Sequence, residues 1–122
     1  MSMEPLLNAL LEKFPDRVRR VQALSADPVC AVDAADIPEP AAFLRSEHGA
    51  RLVTVFAEDR LAAEGVFHLH YVFERPGDPA YLILRASLLA GETRFPSLAA
   101  ELPSLNWQER EIQDWFGLEA AG

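Results

Sequence analysis

Val66-Phe67-His68-Leu69-His70-Tyr71-Val72-Phe73-Glu74 places Phe67, Leu69, Tyr71 and Phe73 on one side of an extended chain and His68, His70 and Glu74 on the other. That period of two is what a strand with one buried face requires. Arg75-Pro76-Gly77-Asp78-Pro79 follows, dense in turn formers, and Tyr81 to Leu89 returns as a second β-rich run. The pair reads as an antiparallel hairpin, and its two strands are expected at the centre of a sheet.

Working outward toward the N-terminus, Leu52, Val53, Val55 and Phe56 form another strand, with Glu58-Asp59 ending it and Ala62 to Gly65 as a connection. Before it, Ile37-Pro38-Glu39-Pro40 leads into a short helix over Ala41 to His48, stopped by Gly49. Extended runs around Val18 to Leu24 and Val29 to Val32, separated by Ser25-Ala26-Asp27-Pro28, suggest a strand pair. Leu6, Leu7, Leu10 and Leu11 give Met3 to Phe14 a helical stripe that Pro15 closes. On the C-terminal side, Phe95-Pro96-Ser97-Leu98 is expected to open a short helix through about Leu102, closed by Pro103. A last helix runs from Trp107 to Phe116, with Asn106 as cap, Glu109 completing a capping box and Gly117 as the stop. This order predicts an α+β fold: one domain over residues 1–122, with a mainly antiparallel or mixed sheet of about five strands and helices packed on it.

A chain of 122 residues suffices for one core, and with half its residues hydrophobic and a quarter charged it belongs with ordinary globular proteins. The formal charge of -8 repels phosphate backbones, so nucleic acid is a poor partner. No stretch approaches the ~20 apolar residues of a membrane-spanning helix, and Glu4 and Pro5 stand where a signal peptide would be basic. Those features point to a cytoplasmic protein without its own membrane span. Cys30 is the single cysteine, which excludes an internal disulfide and reads as a buried, inert thiol.

The glycines, at 49, 65, 77, 91, 117 and 122, allow neither a P-loop nor a dinucleotide fingerprint, and no serine sits in a nucleophile elbow. His68 and His70 share a strand face and would ligate a metal if a third ligand approached; His48 is the other histidine, in a different element. Polar surface is the simpler reading, and no metal site is expected. On the last helix, at about 100° per residue, Arg110, Glu111 and Asp114 gather around Trp107, and Ile112 and Phe116 lie opposite. The charged arc either faces water or meets a partner. Glu111 and Asp114 also leave open a small carboxylate-using enzyme, which needs a pocket with perturbed acidities.

Trp107-Gln108-Glu109-Arg110-Glu111-Ile112-Gln113-Asp114-Trp115-Phe116-Gly117-Leu118 resembles the signature W-x-E-R-E-x-x-D-x-F-G-[IL] of the complex I 30-kilodalton (C) subunit family. The same domain occurs in energy-converting [NiFe] hydrogenases and formate hydrogenlyases, and Phe95-Pro96-Ser97-Leu98 resembles the segment before that signature. The resemblance implies an α+β domain that binds no cofactor and is not catalytic alone. It would lie in the cytoplasmic arm of its complex, peripheral to the membrane. Its partners would be a hydrogenase-like large subunit of the complex I 49-kilodalton type, which in hydrogenases holds a nickel–iron centre, and adjacent iron–sulfur subunits, which carry Fe–S clusters. The residues it implies at that junction are Trp107, Glu109, Arg110, Glu111, Asp114, Phe116 and Gly117. Two departures stand out. Gln108 occupies a position where an aromatic or acidic residue is frequent, and Ala120-Ala121-Gly122 ends the sequence where the family continues into a Gly-His-Pro segment, implying either truncation before the C-terminal extension or an unusual short form.

Overall fold

In the computed structural model, which describes residues 3–21 and 27–122, the central hairpin forms as its period predicts. Strands β4 (Val66–Glu74) and β5 (Tyr81–Leu89) pair antiparallel, with Tyr71 opposite Leu84 and Phe73 opposite Leu82. These four side chains are fully buried. Around them the sheet is mixed, in the order β1-β2-β5-β4-β3. Strands β1 (Arg19–Val21) and β2 (Val29–Asp33) are antiparallel to each other, and β2 runs parallel to β5, with Cys30 beside Leu84. The expected strand stretch from Gln22 to Leu24 and the turn residues Ser25 and Ala26 lie outside the described residues.

Strand β3 (Arg51–Arg60) forms the far edge and continues past Glu58-Asp59, where an end was expected. The ladder carries on because Glu58 stands opposite His68 and Arg60 opposite Val66. The chain then turns at Asp59, whose carboxylate accepts the Leu61 N–H at 2.9 Å, into a single helical turn, α3 (Leu61–Glu64).

The longer helices send apolar side chains to one core on one sheet face. Helix α1 (Glu4–Lys13) contributes Leu6, Leu7 and Leu10, and α2 (Pro38–His48) contributes Ala41 and Leu44. They meet Cys30, Val32, Val55, Leu69, Tyr71, Leu84 and Ala86 from the strands. Burial pushes the Cys30 thiol up to about 12, so the lone cysteine stays protonated and inert. The other face, with His68, His70, Arg85 and Phe56 in register, carries no long helix among the described residues. His68 was expected on water-facing surface there, yet it is only 4% exposed, because Glu58 of β3 and Glu64 of α3 close over its ring.

The helix expected from Phe95 to about Leu102 does not form. Arg94–Pro96 is instead a short strand, β6, parallel to a strand the sequence did not reveal, β7 (Glu119–Ala121). Burial of Phe95 and the Ser97 N–H bond to the Ala121 carbonyl, 2.8 Å, hold this stretch extended. Tertiary contact overrides the local start signal.

Candidate docking site on the terminal helix

Helix α4 (Asn106–Phe116) continues directly from a 3₁₀ turn at Pro103–Leu105. For that reason Asn106 already has helical dihedrals (φ -53°, ψ -39°) and makes no capping bond, so the expected capping box is absent. Glu109 turns inward instead. It is 3% exposed, and it accepts the Ser97 hydroxyl at 2.6 Å and the Leu98 N–H at 2.8 Å. A carboxylate taking two donors is a satisfied buried charge, and in the first turns of a helix it also complements the dipole. Together with burial, its charge pushes the Tyr71 phenol up, burial being the larger cause.

The opposite side of α4 faces water. At about 100° per residue, Arg110, Asp114, Trp107, Glu111 and Trp115 follow one another around an arc of roughly 140°. Trp107 is 70% exposed and Trp115 77%. Arg110 and Asp114 approach only to 4.0 Å, a loose surface pair of little energetic weight. The buried side carries Ile112 and Phe116, the latter edge-on to Phe67 of β4 at 6.0 Å. Gly117 ends the helix at φ 69°, a left-handed conformation natural to glycine, and its N–H returns to the Gln113 carbonyl.

Between α4 and the edge strand β3 lies a groove of about 130 Å³, lined by Val55, Ala57, Gln108, Glu111, Trp115 and Phe116. The Gln108 side-chain oxygen is buried without a hydrogen-bond partner among the described residues. Trp115 and Gln108 were not among the docking residues expected from sequence. The angle that puts Trp115 beside Glu111, about 80° from Trp107, was the signal available. Glu111 borders this groove whereas Asp114 borders a second one beside Ser97 and Asn106, so the two carboxylates do not share a pocket. His68 and His70 converge on Glu58 on the other sheet face, and His48 packs edge-on to Phe43 instead of joining them.

The architecture is thus a single α+β domain with a mixed five-stranded sheet, presenting an amphipathic terminal helix. The chain belongs to the family described as respiratory-chain NADH dehydrogenase, 30 Kd subunit, whose pattern matches residues 30–122. It is 27% identical to hydrogenase-4 component G of Escherichia coli (strain K12) over 98% of this chain and 22% of that protein. Formate hydrogenlyase subunit 5 of the same organism is 29% identical over 70% of this chain and 15% of its own. The C/D subunit of NADH-quinone oxidoreductase from Chromohalobacter salexigens is 30% identical over 98% of this chain and 22% of its own. The chain therefore spans about a fifth or less of the length of these relatives. In fold it resembles the trypsin-resistant fragment of Nqo5, with a TM-score of 0.80 at 19% identity, covering 100% of this chain and 97% of that one. It also resembles a chain of an archaeal respiratory membrane complex, the membrane-bound sulfane sulfur reductase, with a TM-score of 0.81 at 20% identity, covering 98% and 70%.

Proposed function

We propose that this domain is a non-catalytic assembly part of a complex I-like NADH:quinone oxidoreductase or a membrane-bound [NiFe]-hydrogenase complex, docking onto the large subunit through α4. The carrying observation is the pair of exposed indoles, Trp107 and Trp115, which flank Glu111 on one arc. An indole buries roughly 150–250 Å² when covered, and at ~25 cal/mol per Å² covering two contributes several kcal/mol before the losses of association. Aromatic side chains and arginine are the residues that carry most interface energy, and Arg110 lies on the same arc. The seven residues implied by the family signature then divide by task. Trp107, Arg110, Glu111 and Asp114 touch the partner, joined by Trp115. Glu109, Phe116 and Gly117 hold the helix in position.

The relatives' names, which pair hydrogenase, formate hydrogenlyase and quinone oxidoreductase components, support this reading. In such a complex the redox groups, Fe–S clusters and in hydrogenases a nickel–iron centre, reside on neighbouring subunits. The domain would sit on the cytoplasmic side, peripheral to the membrane; among the described residues no helix is long and apolar enough to cross one. The test is affinity capture of the tagged chain from its native organism. Recovery of a hydrogenase-like or 49-kilodalton-type large subunit is expected, and its absence from a capture that retains the folded chain overturns the proposal.

A further inference from the structure

On the sheet face opposite α4, three ligand-bearing side chains converge: His68 and His70 from β4 and Glu58 from β3, with ligand atoms all within 4.8 Å of one another. Glu58 Oε1 lies 3.1 Å from His70 Nε2 and 3.6 Å from His68 Nδ1. Around a tetrahedral zinc with bonds of about 2.0–2.1 Å, neighbouring ligand atoms are separated by about 3.3 Å. The two edges to Glu58 bracket that value, and the His68–His70 edge, which lies within 4.8 Å, closes toward it when an ion is bound. We propose that Glu58, His68 and His70 form a binding site for one divalent transition-metal ion of the zinc class.

The backbone makes the site. His68 and His70 are two apart on one strand, so their rings share a face, and the antiparallel ladder puts Glu58 directly opposite His68. His70 is fixed by stacking on Phe56, with ring centroids 4.8 Å apart and planes 19° apart. The second nitrogen of His68, Nε2, faces Glu64 Oε1 of α3 at 3.5 Å. A carboxylate behind the non-ligating nitrogen is the arrangement that orients a metal-bound imidazole and raises its basicity. Two nitrogens and one carboxylate oxygen form a donor set suited to zinc and its neighbours, and half-exposed Glu58 leaves a fourth position open to water.

Hydrogen bonding alone leaves His68 badly served. Its contacts to Glu58 and Glu64, at 3.6 and 3.5 Å, are too long for good hydrogen bonds, and a neutral ring has a single N–H to offer two carboxylates. Arg85 stands opposite His70 on β5, on the same sheet face. A cation held between Nδ1 of His68, Nε2 of His70 and Glu58 resolves the mismatch, with Nε2–H of His68 donating to Glu64. Arg85 opposes any cation here, and Arg60 already pairs with Glu64 at 2.7 Å, so two carboxylates against two guanidiniums set an affinity below that of a closed structural site. The site and the α4 face are on different sides of the sheet, so each proposal stands or falls separately.

The probe is Co²⁺ alone, added to the purified chain after chelator treatment, followed by displacement with Zn²⁺. One Co²⁺ per chain is expected, with the intense visible bands of four-coordinate geometry that vanish on adding zinc. Glu58→Gln and His70→Asn, both at partly exposed positions, should lose that spectrum while far-UV circular dichroism stays unchanged. Glu64→Gln should weaken binding about 10–100-fold without altering the spectrum, and His48→Asn should leave binding intact. A wild-type chain that gives no such spectrum, or one whose binding survives His70→Asn, overturns the proposal.

Discussion

The carboxylate of Glu109 accepts the backbone N–H of Leu98 at 2.8 Å, tying α4 to the segment that leaves β6. Its other oxygen takes the Ser97 hydroxyl, and the Ser97 oxygen in turn accepts the Ala99 N–H at 3.1 Å. One side chain therefore satisfies donors that a helix over these residues would have left free, and it does so beneath the arc that carries Trp107 and Trp115.

Replacing Glu109 with Ala strands the buried Leu98 N–H and removes the acceptor of the half-buried Ser97 hydroxyl. Hydrogen bonds to a charged group contribute about 1.5–3 kcal/mol each, and orphaned donors are costly. Glu109→Ala should lower stability by about 3 kcal/mol, and Ser97→Ala by about 1 kcal/mol. Chemical denaturation checks both, and an unchanged midpoint for Glu109→Ala would show that the bond to Leu98 contributes nothing.

Glu109 also marks the boundary of what the sequence revealed. The strict alternation of Phe67, Leu69, Tyr71 and Phe73 fixed the hairpin, because one buried face leaves a single register open. The stop at Gly117 and the burial of Ile112 followed from the same periodic logic. Phe95-Pro96-Ser97-Leu98 misled because its partners, Ala121 and Glu109, are distant in sequence and local chemistry alone favoured a helix. The Glu58–His68 pairing was hidden for a related reason. It depends on β3 continuing through two acidic residues, which only the cross-strand ladder explains.

Trp107 and Trp115 make little contact within the chain, so replacing them should leave the fold intact. Trp107→Ala and Trp115→Ala are each expected to shift stability by no more than about 0.5 kcal/mol. Each should lower affinity for the large subunit by about 2 kcal/mol or more, some 30-fold. Arg110→Glu should instead slow association and change its salt dependence. Quantitative co-purification separates these effects, and a double Trp variant recovered with its partner as efficiently as wild type would place the interface elsewhere.

Alkaline titration should expose the two buried acids of the core. Cys30 is raised from 9.0 to about 12 by burial, and Tyr71 is raised by burial and by Glu109. In the unfolded chain both ionise at their ordinary values and release protons that the folded chain retains. Their stabilising effect is complete below pH 9 and fades as pH rises toward 12, by up to about 1.4 kcal/mol per unit for one fully coupled group. Cys30→Ala should flatten this loss while lowering stability at neutral pH through the small void it leaves. Thermal midpoints between pH 8 and 11 report the slope, and identical slopes for wild type and variant would exclude Cys30 as its source.

Gly117 couples the end of α4 to the β6–β7 pair. At φ 69° an added Cβ meets nothing within 4 Å, so Ala there is opposed by backbone strain and not by crowding. Gly49, at φ 62° behind α2, is in the same situation. Both Gly→Ala variants should therefore destabilise by about 1 kcal/mol. They should differ in where the damage appears. Two residues past Gly117 the Glu119 N–H bonds to the Thr93 carbonyl, and the Ala121 carbonyl accepts from Ser97. Gly117→Ala should thus accelerate amide exchange at Glu119 and Ser97 beyond the global change, whereas Gly49→Ala should not. Equal protection at those two amides in both variants would mean that the helix stop and the β6–β7 pair are energetically independent.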